Sequence, residues 1–112
     1  MSGLSTHVLD TASGRPAAGV PVRLAVRDDG GWRELAAATT DADGRVTRLL
    51  PPGETLATLT YRLTFDVQAY RGGAATAFFP EVTIVFTVSE PERHHHVPLL
   101  LAPYGYSTYR GS

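Results

Sequence analysis

The side chains of this chain alternate, and that alternation restricts what it can fold into. In Tyr61-Arg62-Leu63-Thr64-Phe65-Asp66-Val67 the large apolar residues take every second place, with Arg62, Thr64 and Asp66 between them. Val82, Ile84, Phe86 and Val88 repeat the pattern, as do Val20, Val22, Leu24 and Val26, with Arg23 and Arg27 opposite. A strand turns successive side chains to opposite faces, so each run has one face for a core and one for water. A helix, with its period of 3.6, would spread the same residues around its surface. The β-branched and aromatic residues in these runs suit a half-buried pleated sheet.

Turn-forming residues separate the runs. Ala12-Ser13-Gly14-Arg15-Pro16 follows the first, and Asp28-Asp29-Gly30-Gly31 joins the next two as a hairpin. Asp41-Ala42-Asp43-Gly44 and Pro51-Pro52-Gly53 come after. Strands are predicted near 4–9, 20–27, 32–39, 45–49, 60–68, 82–89, 95–101 and 105–109. Many short strands with turns between them predict an all-β sandwich or barrel. Helix is nearly absent: the one candidate is around Tyr70–Ala77, weakened by Gly72-Gly73. At 112 residues the chain is expected to form one domain, 1–112, with a core of its own.

Composition excludes several function classes. Ten basic and eleven acidic residues give a net charge of -1, so the basic footprint of a nucleic-acid binder is missing. No apolar stretch approaches the ~20 residues that span a bilayer, so no membrane partner is expected. Cysteine is absent, which removes disulfides, thiolate metal sites and cysteine nucleophiles. The chain carries no secretory leader pattern at Met1-Ser2-Gly3-Leu4, and the expected location is cytoplasmic.

Two runs place polar chemistry where a plain sandwich would have none. In Leu4–Leu9, alternation sends Leu4, Thr6 and Val8 one way and Ser5, His7 and Leu9 the other. In His94–Leu101, His95 shares a face with Val97, Leu99 and Leu101, while His94, His96, Pro98 and Leu100 lie opposite. With the longer apolar row in the core, His7 and His96 stand on outer faces beside apolar neighbours. Tyr104, Tyr106 and Tyr109 add aromatic surface, and a monomer rarely leaves such a patch in water. An outer face covered by another subunit, with a polar pocket inside the contact, is the expectation. His94 and His96 have a spacing that can ligate a metal, but no third ligand follows at a fixed interval, so no metal is expected. Asp41-Ala42-Asp43-Gly44 imitates the start of a calcium loop, yet Pro52 stands where the bidentate Glu belongs, and a turn is predicted. On these grounds alone, enzyme and binding module are nearly even.

Four segments, in order, carry a family resemblance. They are Leu4-Ser5-Thr6-His7-Val8-Leu9-Asp10 with Gly14-Arg15-Pro16-Ala17; Thr40-Asp41-Ala42-Asp43-Gly44-Arg45; Phe78-Phe79-Pro80-Glu81-Val82; and His94-His95-His96-Val97-Pro98-Leu99-Leu100-Leu101, running to Tyr106-Ser107-Thr108-Tyr109-Arg110-Gly111-Ser112. Together they resemble the 5-hydroxyisourate hydrolases of the transthyretin-related group, the terminal Tyr-Arg-Gly-Ser being the most specific mark. The resemblance implies a transthyretin-like sandwich of two four-stranded sheets with one short helix between the fifth and sixth strands. It implies a homotetramer with sites at the dimer–dimer interface, and no cofactor. The implied activity is hydrolysis of 5-hydroxyisourate to 2-oxo-4-hydroxy-4-carboxy-5-ureidoimidazoline in urate degradation, a step of purine metabolism. Carried over position by position, His7, Arg45, His96 and Ser112 are the catalytic candidates. His7, Arg45, Tyr109, Arg110 and Gly111 are the substrate-binding candidates. The alternative is a non-enzymatic small-ligand carrier of the transthyretin type, for which the histidines and the tail would be dispensable.

Overall fold

The computed structural model describes residues 3–72 and 76–111. The runs that alternate become strands, in chain order β1 (Gly3–Asp10), β2 (Arg15–Pro16), β3 (Pro21–Asp28), β4 (Gly31–Thr39), β5 (Arg45–Val46), β6 (Thr60–Asp66), β7 (Glu81–Thr87), β8 (His94–Ala102) and β9 (Gly105–Thr108). They form two sheets. One is antiparallel with order β4-β3-β6-β7. The other runs β2-β1-β8-β9, with β5 also pairing β1. The β1–β8 pairing is parallel, and it joins the start of the chain to its end. That single register brings the two histidine-bearing runs side by side.

The core lies between the sheets and is built from the predicted rows. Val22, Leu24, Val26, Leu63, Phe65 and Val82 from one sheet meet Leu4, Val8, Leu99 and Leu101 from the other, all essentially inaccessible to solvent. Removing one such side chain to alanine costs about 2–5 kcal/mol through lost transfer energy and residual cavity.

Four expectations need adjustment. The second sheet carries a fifth short strand, because β2 and β5 share one edge of β1: β5 pairs at Thr6–His7 and β2 at Leu9–Asp10. The sheet is four strands wide at the Leu9–Asp10 level, where β2, β1, β8 and β9 lie side by side, and three wide at the Thr6–His7 level, before β9 begins. The strand expected over 45–49 stops at Val46. Beyond it Leu49 and Leu50 are both buried, which a period of two forbids, and Pro51 and Pro52 follow. The strand expected over 60–68 ends at Asp66, whose carboxylate accepts from Ala69 N–H at 3.0 Å and caps a helix α1 (Val67–Arg71). The helix therefore lies earlier than the Tyr70–Ala77 candidate, and it ends at Gly72; residues 73–75 of that candidate lie outside the described residues.

Helix α1 is tied to the end of β1. The Tyr70 hydroxyl donates to Asp10 Oδ2 at 2.8 Å, and Arg71 stands 3.7 Å from the same oxygen. Burial works to raise the Asp10 pKa. The Tyr70 bond, the N–H groups of Ser13 and Ala12 and the Arg71 charge together outweigh it, and the carboxyl sits below its ordinary 3.8.

Candidate active site

Along a strand, residues two apart point the same way and lie about 6.6 Å from each other. The outer face of the β1–β8 sheet therefore presents its chemistry in rungs. In one rung, Arg45 on β5 pairs with His7 on β1, and His7 in turn lies level with Pro98 on β8. In the next, Ser5 on β1 lies level with His96 on β8, and His96 is bridged to Gly111. The expected outward orientation of His7 and His96 holds, and His95 turns inward, buried, with its Nδ1 2.9 Å from the Arg93 carbonyl.

Each side chain has a local reason for its place. The turn Asp41–Gly44 holds the backbone of Arg45: Asp41 Oδ1 accepts from Asp43 N–H at 2.9 Å and Arg45 N–H at 3.0 Å, while Asp41 N–H donates to the Arg45 carbonyl. Gly44 has φ +74, and a Cβ there would stand 2.5 Å from the Val8 carbonyl oxygen, so the turn and β1 meet only through a glycine. Arg45 itself makes no ion pair among the described residues, which leaves its guanidinium for a ligand.

The tail docks rather than frays. β9 pairs with β8, Thr108 Oγ1 donates to the Pro98 carbonyl at 2.7 Å, and Gly111 N–H donates to the His96 carbonyl at 2.8 Å. A Cβ on Gly111 would lie 2.6 Å from His96 Cδ2. The His96 ring is thus gripped along one edge by Gly111, and along the other by Ser5, whose Oγ is 2.8 Å from Nδ1. Nε2 of His96 has no hydrogen bond among the described residues.

His96 stands between two clefts. A polar one of about 390 Å³ is lined by Ser5, Thr6, Arg45, Thr47, His94 and His96. A second, of about 250 Å³, opens between β7 and β8 and has Tyr109 and Arg110 in its wall with His96. The chain thus brings Arg45 and His96 into one cleft and puts Tyr109 and Arg110 on the other side of the same histidine. His7 lies beside them with Nε2 buried and without a hydrogen-bond partner among the described residues. Ser112 lies outside the described residues.

The electrostatics favour a neutral His96. Burial, and then the charges of Arg45, His7 and His94, push its pKa below the ordinary 6.5, with the Ser5 backbone opposing. A neutral imidazole with one nitrogen free among the described residues, beside a guanidinium unpaired among them, can take a proton from water while a cation steadies a developing oxyanion. Among the described residues no group of three or more His, Cys, Asp or Glu is placed to hold a metal.

Sequence reasoning missed Ser5. Alternation put it on the face of His7, but its role depends on the parallel register that sets it opposite His96, and nothing within either run reveals that register. His94 was considered as a metal ligand, whereas its Nε2 is 2.8 Å from the Ser5 hydroxyl.

Comparison with known proteins gives a consistent picture. The family model described as "HIUase/Transthyretin family" matches residues 4–111. A protein of Caulobacter vibrioides named 5-hydroxyisourate hydrolase is 50% identical, and the match covers 100% of both chains. The structure of Klebsiella pneumoniae 5-hydroxyisourate hydrolase superposes with a TM-score of 0.84 at 39% identity, covering 100% of both chains. Sea bream transthyretin in complex with thyroxine superposes with a TM-score of 0.87 at 33% identity, covering 97% of this chain and 94% of that one.

Proposed function

The chain belongs to the HIUase/Transthyretin family, and from that premise we infer that it is an enzyme that hydrolyses 5-hydroxyisourate in urate degradation. The observation that carries the site assignment is the pair of rungs on the outer face: Arg45 level with His7, and His96 one rung away.

The substrate is a flat, polar heterocycle, and its ring carbonyl is attacked by water. His96 Nε2 takes the proton from that water. The Arg45 fork binds the carbonyl edge and stabilises the oxyanion as the tetrahedral intermediate forms. The carbon–nitrogen bond then breaks and the departing nitrogen recovers a proton, leaving a carboxylate and a ureido group. His7 orients the ring. Tyr109, Arg110 and Gly111 bound the site from the tail side, and the family resemblance adds Ser112 to the catalytic set. Carriage of a ligand without chemistry gives these groups no role.

The working form is a homotetramer of one-domain subunits. Leu9, Pro98 and Leu100 surround the site on a face that a second copy would cover, and Val85, Phe78 and Tyr104 are exposed beyond it. Such a contact would close the polar cleft and shut water out. Among the described residues no helix is long and apolar enough to cross a membrane. The cytoplasm is the compartment we assign.

Hydrolysis in ¹⁸O-labelled water tests the reaction. One labelled oxygen is expected in the new carboxylate, formed faster with the protein than without. Product lacking the label, or formed no faster, would refute the assignment.

A further inference from the structure

Ser5 is buried, 8% exposed, and its single hydroxyl stands 2.8 Å from two ring nitrogens, Nδ1 of His96 and Nε2 of His94. A hydroxyl has one proton to donate and two lone pairs to accept with. It cannot donate to both rings, so at least one ring must present an N–H to it. The tautomers of His94 and His96 are therefore coupled through one oxygen. His94, unlike His96, is exposed, and it lies across the register from Gly3, which has no side chain to cover it.

We propose that Ser5 and His94 are positioning residues that form a proton relay behind His96. The proposal rests on the hydrolase reading of the site. At rest His96 donates Nδ1–H to Ser5 Oγ, and Ser5 donates its O–H to Nε2 of His94, whose own proton is on Nδ1. This leaves Nε2 of His96 as the lone-pair nitrogen, the atom that neither Ser5 nor Gly111 covers.

When water attacks, its oxygen bonds to the carbonyl carbon and its proton goes to His96 Nε2. The Nδ1 proton of His96 passes to Ser5 Oγ, and the Ser5 proton passes to Nε2 of His94. His96 returns to neutrality with the opposite tautomer, and the positive charge rests on His94. The proton now on His96 Nε2 goes to the departing ring nitrogen, and the relay runs back. The enzyme ends with the protons it began with, and the carboxylic acid formed gives its own proton to solvent as it becomes the carboxylate.

The benefit is electrostatic. The charged groups facing His96 are Arg45 from β5, His7 from β1 and His94 from its own strand. An imidazolium beside the Arg45 guanidinium is penalised at short range, whereas one on exposed His94 is solvated. The relay lets His96 act as a base without keeping the charge.

The test combines kinetics with a reading that does not depend on turnover. In the parent, ¹⁵N chemical shifts are expected to show His96 with a protonated Nδ1 and a bare Nε2, and Ser5→Ala is expected to abolish that bias. Ser5→Ala and His94→Ala should lower kcat about tenfold or more with KM unchanged, a part of the ~10²–10⁴-fold that a positioned base contributes. Added imidazole should restore His94→Ala, where it can occupy the vacated ring position, and fail to restore Ser5→Ala. The proton inventory of the parent should be curved, and that of Ser5→Ala linear. The proposal is overturned by an unprotonated Nδ1 on His96, by variants with parental kcat, or by a loss in His94→Ala that imidazole does not repair. A parent that shows the expected tautomer but does not accelerate substrate decay would instead refute the hydrolase reading.

Discussion

In the proposed mechanism the chemistry turns on His96, and its surroundings fix when it can act. Its pKa lies below 6.5 because burial and the charges of Arg45, His7 and His94 all disfavour imidazolium. The neutral ring is thus the folded-state form at neutral pH. The associated stability is present above 6.5 and is lost as pH falls through the lower folded value. Activity should follow the same limb: kcat/KM is expected to decline on acidification with a midpoint below 6.5. In Arg45→Gln, which removes the cation, that midpoint should move up towards 6.5 while the rate drops. A midpoint unmoved by the substitution would show that Arg45 does not act on His96. Gly111 gives a steric test. A Cβ there meets His96 Cδ2 at 2.6 Å, so Gly111→Ala should displace the ring and cut turnover at least tenfold, of the order a misplaced base costs. Near-parental turnover would mean that the ring has other room. At this scale the sequence told much. Alternation placed Ser5, His7, His94 and His96 outward and His95 inward, because a strand's period leaves no other choice. What it could not tell was which of them touch, since Ser5 and His96 are joined by pairing between distant runs.

Element by element, legibility follows the strength of the period. β3, β6 and β7 have three or four apolar residues at strict alternation, and their ends agree with expectation within two residues. β2 and β5 are two residues each, too short for a period to set their bounds: β2 was not expected, the strand expected over 45–49 shrinks to β5, and both pair along one edge of β1. Helix α1 was expected but placed too late: it is five residues long, and Asp66, its cap, reads equally well as the last residue of a strand. The element that matters most to the site is the turn before β5. Gly44→Ala forces a β-carbon against the Val8 carbonyl at positive φ and should cost about 1–2 kcal/mol in backbone conformation alone. Arg45 would shift with the turn. Thermal unfolding should register the loss of stability, and activity should fall further than Tm alone would explain. A variant with the parental Tm and full activity would contradict this role for the turn.

At the scale of the whole molecule, the single chain presents the site without a roof. The polar cleft is open, Tyr109 is 60% exposed, and the tail faces away from Arg45 across His96. A second copy over the outer face would exclude water and strengthen every charge interaction within. Sedimentation should therefore show a species four times the 12.0 kDa chain at micromolar concentration, and a stable single-chain species would refute the assembly. Charge and composition offer no basic footprint and no long apolar run, but no count of residues could tell an enzyme from a carrier. That distinction came from the order and spacing of four short segments, and the relatives named 5-hydroxyisourate hydrolase agree with it. It is decided most directly by oxidising urate with urate oxidase and following the decay of 5-hydroxyisourate absorbance with no protein, with the parent and with His96→Ala. The expected result is rapid decay with the parent and a loss of about 10²–10⁴-fold in the variant, its tetramer intact. Decay as slow with the parent as without protein, or as fast with His96→Ala as with the parent, would contradict the account.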